Sequence, residues 1–127
     1  MSASVNNLSL IINRQDSSGT NVENRMVGAI SYSGAAGEFD IRQAPDTNQH
    51  TLDLPTTTIY QIYIKNTHSS ATLTIVGTVT GGSSQTICKL PPGAIFAYWT
   101  ATAANGFTDL KYTSDTSGST FEMFLGG

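Results

Sequence analysis

The sequence predicts an all-β fold: a jelly-roll-like β-sandwich of about 8–10 antiparallel strands with essentially no helix. Three observations point there. Short runs rich in Ile, Val, Thr, Tyr and Phe recur along the chain, separated at fairly even intervals by clusters of Gly, Ser, Asn, Asp and Pro. No stretch of helical length carries apolar residues at a helical period, and TATAAN after Trp99 is too short and too rich in threonine. The connections mix short turn-formers (NTHSSA, TGGSSQ, SDTSGS) with longer crossings (RQDSSGTNVEN, QAPDTNQ), which suits Greek-key wiring better than a meander. A chain of 127 residues has the size of one domain, here residues 1–127, with residues 1–25 including an N-terminal arm.

Alternation along each run assigns its faces. Leu8, Leu10 and Ile12 alternate with Ser9, Ile11 and Asn13, and Met26, Gly28, Ile30 and Tyr32 form the next inward set. Phe39 and Ile41 are expected inside, between Glu38, Asp40 and Arg42, and Leu52 and Leu54 flank Asp53. Residues 59–65 put Tyr60, Ile62 and Ile64 on one side and Ile59, Gln61, Tyr63 and Lys65 on the other. Leu73, Ile75 and Val79 follow as inward residues, with Gly77 marking a bulge. Residues 87–90 form a short strand, and residues 94–100 form one that is apolar on both faces. Leu110 and Tyr112 precede the last strand, in which Phe121, Met123 and Leu125 point in while Glu122 and Phe124 point out.

Composition narrows the function. Charged residues are only 12% of the chain, apolar residues 39%, and Ser and Thr account for 32 of the 127 positions, so the surface is neutral and coated with hydroxyls. The net charge of −3 is spread along the sequence and leaves no basic stripe to neutralise phosphates, which argues against nucleic acid and against an anionic membrane. The start MSASVNNLSL lacks the basic end and apolar core of a signal peptide, so synthesis in a cytosol is expected. Cys88 is the one cysteine, and its neighbours Ile87 and Leu90 predict an inert, buried thiol.

No catalytic constellation emerges from spacing, and no metal or cofactor is expected. His50 and His68 lie far apart without a neighbouring Cys or His, and His68 reads as a solvated turn residue. Asp40, Asp53, Asp109 and Asp115 read as surface carboxylates. TGGSSQ, residues 80–85, lacks the Lys-Ser/Thr of a phosphate-binding loop and reads as a hairpin turn, and no Gly-x-Ser-x-Gly elbow is present.

The aromatic residues carry more. Tyr63, Trp99 and Phe124 fall on faces opposite the core residues Ile62, Tyr98 and Met123, which predicts an outward apolar patch suited to a subunit contact. Strand edges rich in Thr, Ile and Val, with only six basic residues in the whole chain, also invite a protein partner. The expected contact residues are Tyr63, Ile95, Trp99 and Phe124, with Ile11 in the arm.

The succession IYQIYIKNTHSSATLTIVG, a polar hairpin, LPPGAIFAYW and GFTDLKYTSDTSGSTFEMFLGG resembles small structural proteins of tailed bacteriophages, over about residues 60–125. In those proteins a strand, a Lys-Asn turn and a second strand lead to a Leu-x-Pro-Gly shelf, an apolar strand and a closing strand pair. The resemblance implies a jelly-roll subunit of the virion, made in the bacterial host cytoplasm. Its implied role is that of a head decoration or cement protein bound to the major capsid protein or other virion proteins, as a homo-oligomer with a trimer favoured. Tail or fibre components share the pattern. A carbohydrate-binding β-sandwich module is the rival from another class, and its mark is an aromatic platform rimmed by Asp, Asn and Gln. VNNLSLIINRQDSSGTNVENR is expected to supply an arm that adds a strand to a neighbour.

Overall fold

In a computed structural model, residues 3–15, 17–32 and 37–127 are described. The chain is an all-β sandwich of two four-stranded antiparallel sheets preceded by a two-stranded hairpin, with one 3-10 turn at Ala103–Asn105. The strands are β1 (Ala3–Gln15), β2 (Asn21–Tyr32), β3 (Gly37–Gln43), β4 (His50–Thr51), β5 (Gln61–Asn66), β6 (Leu73–Val79), β7 (Ser84–Leu90), β8 (Ile95–Trp99), β9 (Phe107–Ser114) and β10 (Thr120–Gly126).

One sheet has the order β3-β10-β5-β8 and the other β4-β9-β6-β7. From β3 onward every connection passes from one sheet to the other except the β6–β7 hairpin, and this is the wiring of a jelly roll. The hairpin turn is the TGGS stretch: Gly81 takes a positive φ of 74°, and Gly82 donates its N–H to the carbonyl of Val79.

The core lies between the sheets. Ile62 and Ile64 of β5 and Phe121, Met123 and Leu125 of β10 meet Leu73 and Ile75 of β6 and Leu110 of β9, each at most 2% exposed. Burial of such a side chain contributes roughly 1.5–3 kcal/mol. Asn66 closes one end of this core. Its buried amide donates to the carbonyls of Ala71 (2.7 Å) and Leu90 (2.9 Å), and its Oδ1 accepts from the N–H of His68 (3.1 Å). Asn66 thereby ties the β5–β6 turn to the shelf that launches β8. In that shelf Gly93, with φ of 77°, donates to the Asn66 carbonyl, and Ala94 donates to the carbonyl of Pro91.

The structure departs from sequence alternation in three places. Phe39 and Ile41, expected inside, are 64% and 63% exposed. In their stead Asp40 and Arg42 stand opposite the core residues Met123 and Phe121 and form a half-buried ion pair at the margin of the core. The sheet edge explains this inversion: charge turned inward on an edge strand discourages further strand pairing. Val79 is 36% exposed because the β6–β9 register shifts between Thr78 and Val79. Ile59 and Gln61, both expected on the outer side, are fully buried, and Ile59 bridges Phe107 in the opposite sheet before the chain enters β5.

Gly77 sits between that irregularity and a second one at Ile75/Val76 in the β6–β7 ladder. A Cβ there would fall 2.7 Å from the Phe107 ring, so the ring needs this glycine.

At the N-terminus, β1 and β2 form one long ladder, with a shift between Val5 and Leu8. Position 25, the expected limit of an arm, falls inside β2 opposite Ile11. The side chain of Ile11 lies outside the described residues.

Candidate functional site: an apolar sheet face

The register of the β3-β10-β5-β8 sheet arranges its outer face in rows, because residues directly opposite each other in neighbouring strands share a face. One row reads Ile41, Glu122, Lys65, Ile95 across the four strands. The next reads Phe39, Phe124, Tyr63, Ala97, and the third Gly37, Gly126, Gln61, Trp99. Ile95 and Trp99 on the β8 edge are 63% and 49% exposed and match Phe39 and Ile41 on the β3 edge. Between these edges the half-buried rings of Tyr63 and Phe124 lie tilted with centroids 6.0 Å apart. They floor a shallow depression whose lining also includes Phe39, Ile95, Lys65 and Glu122.

Four of the five residues expected to make contacts therefore stand together. Tyr63, Ile95, Trp99 and Phe124 occupy one face of one sheet. Their inward neighbours Phe96 and Tyr98 pack against the core, Tyr98 edge-on to Phe107 at 5.3 Å with its hydroxyl donating to the Asn105 carbonyl. Phe39 and Ile41 complete the face and are not among the expected contacts, because alternation assigns them to the core.

Gln61 adds a feature of another kind. It is completely buried at the Trp99 end of this face, and neither its Oε1 nor its Nε2 has a hydrogen-bond partner among the described residues.

Apart from the exposed Asp53, the polar candidates are occupied structurally. His68 is half-buried, and its Nδ1 accepts from the N–H groups of Ser70 (3.1 Å) and Ala71 (3.0 Å), so it caps the turn rather than pointing into solvent. His50 Nε2 pairs with Asp46 Oδ1 at 2.7 Å and its ring lies against Tyr112. That bond, with a second from the Asn48 N–H, holds the Asp46 carboxyl below its ordinary 3.8. Asp40 pairs with Arg42, Asp109 with Lys111 at 3.5 Å, and Asp115 accepts from the Thr72 N–H. Cys88 packs at the core margin, where desolvation pushes its thiol up to about 11. Among the described residues no three His, Cys, Asp or Glu side chains converge.

No family model and no curated protein matches the chain. Among solved structures it is similar to the Yersinia pseudotuberculosis-derived mitogen, at 11% identity and a TM-score of 0.47, over 72% of this chain and 85% of that one. At that level the likeness bears on neither activity nor partners.

The surface chemistry of the face is specific in its own right. Around an apolar floor it offers one cation and one anion side by side, Lys65 and Glu122, opposite each other in the β5–β10 ladder.

Proposed function

We propose that the protein is a non-enzymatic structural subunit of a tailed-bacteriophage virion, a head decoration or cement protein that binds its partners through the outer face of the β3-β10-β5-β8 sheet. The observation that carries this reading is the exposure of Phe39, Ile41, Ile95 and Trp99 together on that face. A contiguous apolar patch on a folded domain is costly in water and is the usual mark of a protein–protein contact. Jelly rolls recur as capsid domains, and the resemblance of residues 60–125 to phage structural proteins supplies the virion context.

The mechanism is mass action. A subunit that binds the assembled shell and not its separated components shifts the equilibrium toward the shell. The partners are the major capsid protein or other virion proteins, and further copies of this chain. Production is in the bacterial host cytoplasm, and the working location is the particle.

Immunogold labelling of purified virions tests this reading. Label over the head is the expected result. Label confined to the tail or its tip replaces decoration by a tail or fibre role, and absence of label from intact virions overturns the reading. Binding on a glycan array, lost in the Trp99→Ala variant, would point instead to a carbohydrate-binding module.

A further inference from the structure

We propose that the outer face of the β3-β10-β5-β8 sheet pairs with the same face of a second copy of this chain, about a twofold axis parallel to the strands and midway between β10 and β5. The inference rests on the reading of this face as an assembly surface and names its occupant.

The argument is the self-complementarity of the rows. Such an axis lays β5 of one copy over β10 of the other, and β8 over β3, while each row stays opposite itself. In the first row, Ile41–Glu122–Lys65–Ile95, Glu122 then meets Lys65 of the second copy and Lys65 meets Glu122, while Ile41 meets Ile95. In the second row, Phe39–Phe124–Tyr63–Ala97, the two half-buried aromatics meet each other, and the exposed Phe39 meets the small Ala97. The third row takes no part at its centre, where Gln61 and Gly126 are buried. At the edges Ile41 thus meets Ile95 and Phe39 meets the small Ala97, and at the centre each charge faces its opposite. A contact about a twofold axis requires this reciprocity, in which i touches j and j touches i.

Sheets also pack face to face with their strands inclined by only about 30°, so twisted sheets can retain these oppositions near the centre.

The scale of the face sets the strength. Four strands about 4.8 Å apart and two open rows about 6.6 Å apart give a footprint of roughly 20 Å by 13 Å per copy. Over both copies that lies below the roughly 1,200 Å² of stable interfaces, in the range of weak and transient contacts. The pair is therefore concentration-dependent in dilute solution and tightens where copies are held side by side on a particle. It is also twofold, where the sequence reading favours three copies.

Charge exchange tests it. In sedimentation equilibrium the wild-type chain should shift from one-chain to two-chain mass as its concentration rises to roughly the millimolar range. Lys65→Glu alone, or Glu122→Lys alone, sets like charges against each other at both symmetric positions and should weaken the pair about tenfold or more. Mixing the two single variants should restore pairing, since every central contact is then again between opposite charges. The double variant should pair on its own.

Circular dichroism and thermal melting keep a folding defect distinct from a pairing defect. A wild-type chain that stays monomeric throughout overturns the proposal, as do single variants that pair normally or a mixture that does not pair. Labelling of virions reads out separately: a monomer found on heads removes the pair and leaves the proposed function, and a pair absent from virions does the reverse.

Discussion

Phe39 of β3 lies directly opposite Phe124 of β10 on the outer face of the sheet, while the next residue, Asp40, lies opposite Met123 in the core. The edge strand is thus turned over, with apolar side chains to solvent and charge to the interior. Phe39 is 64% exposed, so its replacement by Asp removes little packing within the chain. Thermal melting of Phe39→Asp is expected to report a stability change within about 0.5 kcal/mol, together with loss of self-association and of particle binding. A large destabilisation would place Phe39 in the fold and not on an assembly surface.

A second prediction concerns Asn66. Replacement by Ala leaves the carbonyls of Ala71 and Leu90 and the N–H of His68 without their buried partner. Unmet groups of this kind cost about 1–3 kcal/mol each when they stay dry, and partial relaxation reduces the sum. Urea unfolding should show a loss of about 2–4 kcal/mol. Asn66→Asp should be no better than Ala, because a carboxylate cannot donate to either carbonyl.

Much of this was legible beforehand, for identifiable reasons. In β5, Ile62 and Ile64 alternate with Tyr63 and Lys65, and in β10, Phe121, Met123 and Leu125 alternate with Glu122 and Phe124. Both strands lie in the middle of a sheet, where the more apolar set must face the core, so alternation decides the phase. For β3 the same rule gives the wrong answer. An edge strand touches the core along its margin only, and there the Asp40–Arg42 pair keeps partial access to water. Only the pairing of β3 with β10 reveals that Phe39 and Ile41 extend the patch. Ile59 and Val79 were illegible for another reason: a bridge to the opposite sheet and a register shift break the period of two. Asn66 reads as an ordinary turn residue until the β8 shelf is folded against it.

Gln61 offers a gain in stability. Its amide is buried with no partner among the described residues, so the desolvation of two polar groups goes uncompensated. Gln61→Met, of similar length and shape, should raise stability by about 1 kcal/mol, seen as an upward shift of the melting temperature. A clear loss would mean that the amide is engaged in the folded protein.

Cys88 supplies a pH-dependent readout. Desolvation raises its thiol from the ordinary 9.0 to about 11, so the thiolate is scarce at pH 8. Alkylation of the native protein should run about 100-fold slower there than that of a model thiol, and quicken about tenfold per pH unit until the thiol titrates. The sign of the linkage follows. The folded state holds this proton more tightly than the unfolded state, so the contribution of the group to stability is full below about 9 and falls as pH rises toward 11. Rapid labelling at pH 8, without loss of structure, would contradict the burial of Cys88.

The central claim is that the outer face of the β3-β10-β5-β8 sheet joins two copies of this chain, and its most direct test is sedimentation velocity of the wild-type chain beside Ile95→Asp over a wide concentration range. Ile95 is 63% exposed on the β8 edge, so the variant keeps the fold. The account predicts a wild-type coefficient that climbs with concentration and an Ile95→Asp coefficient that stays at the value of one chain. A variant that associates as strongly as the wild type, or a wild-type chain that never associates, would contradict it.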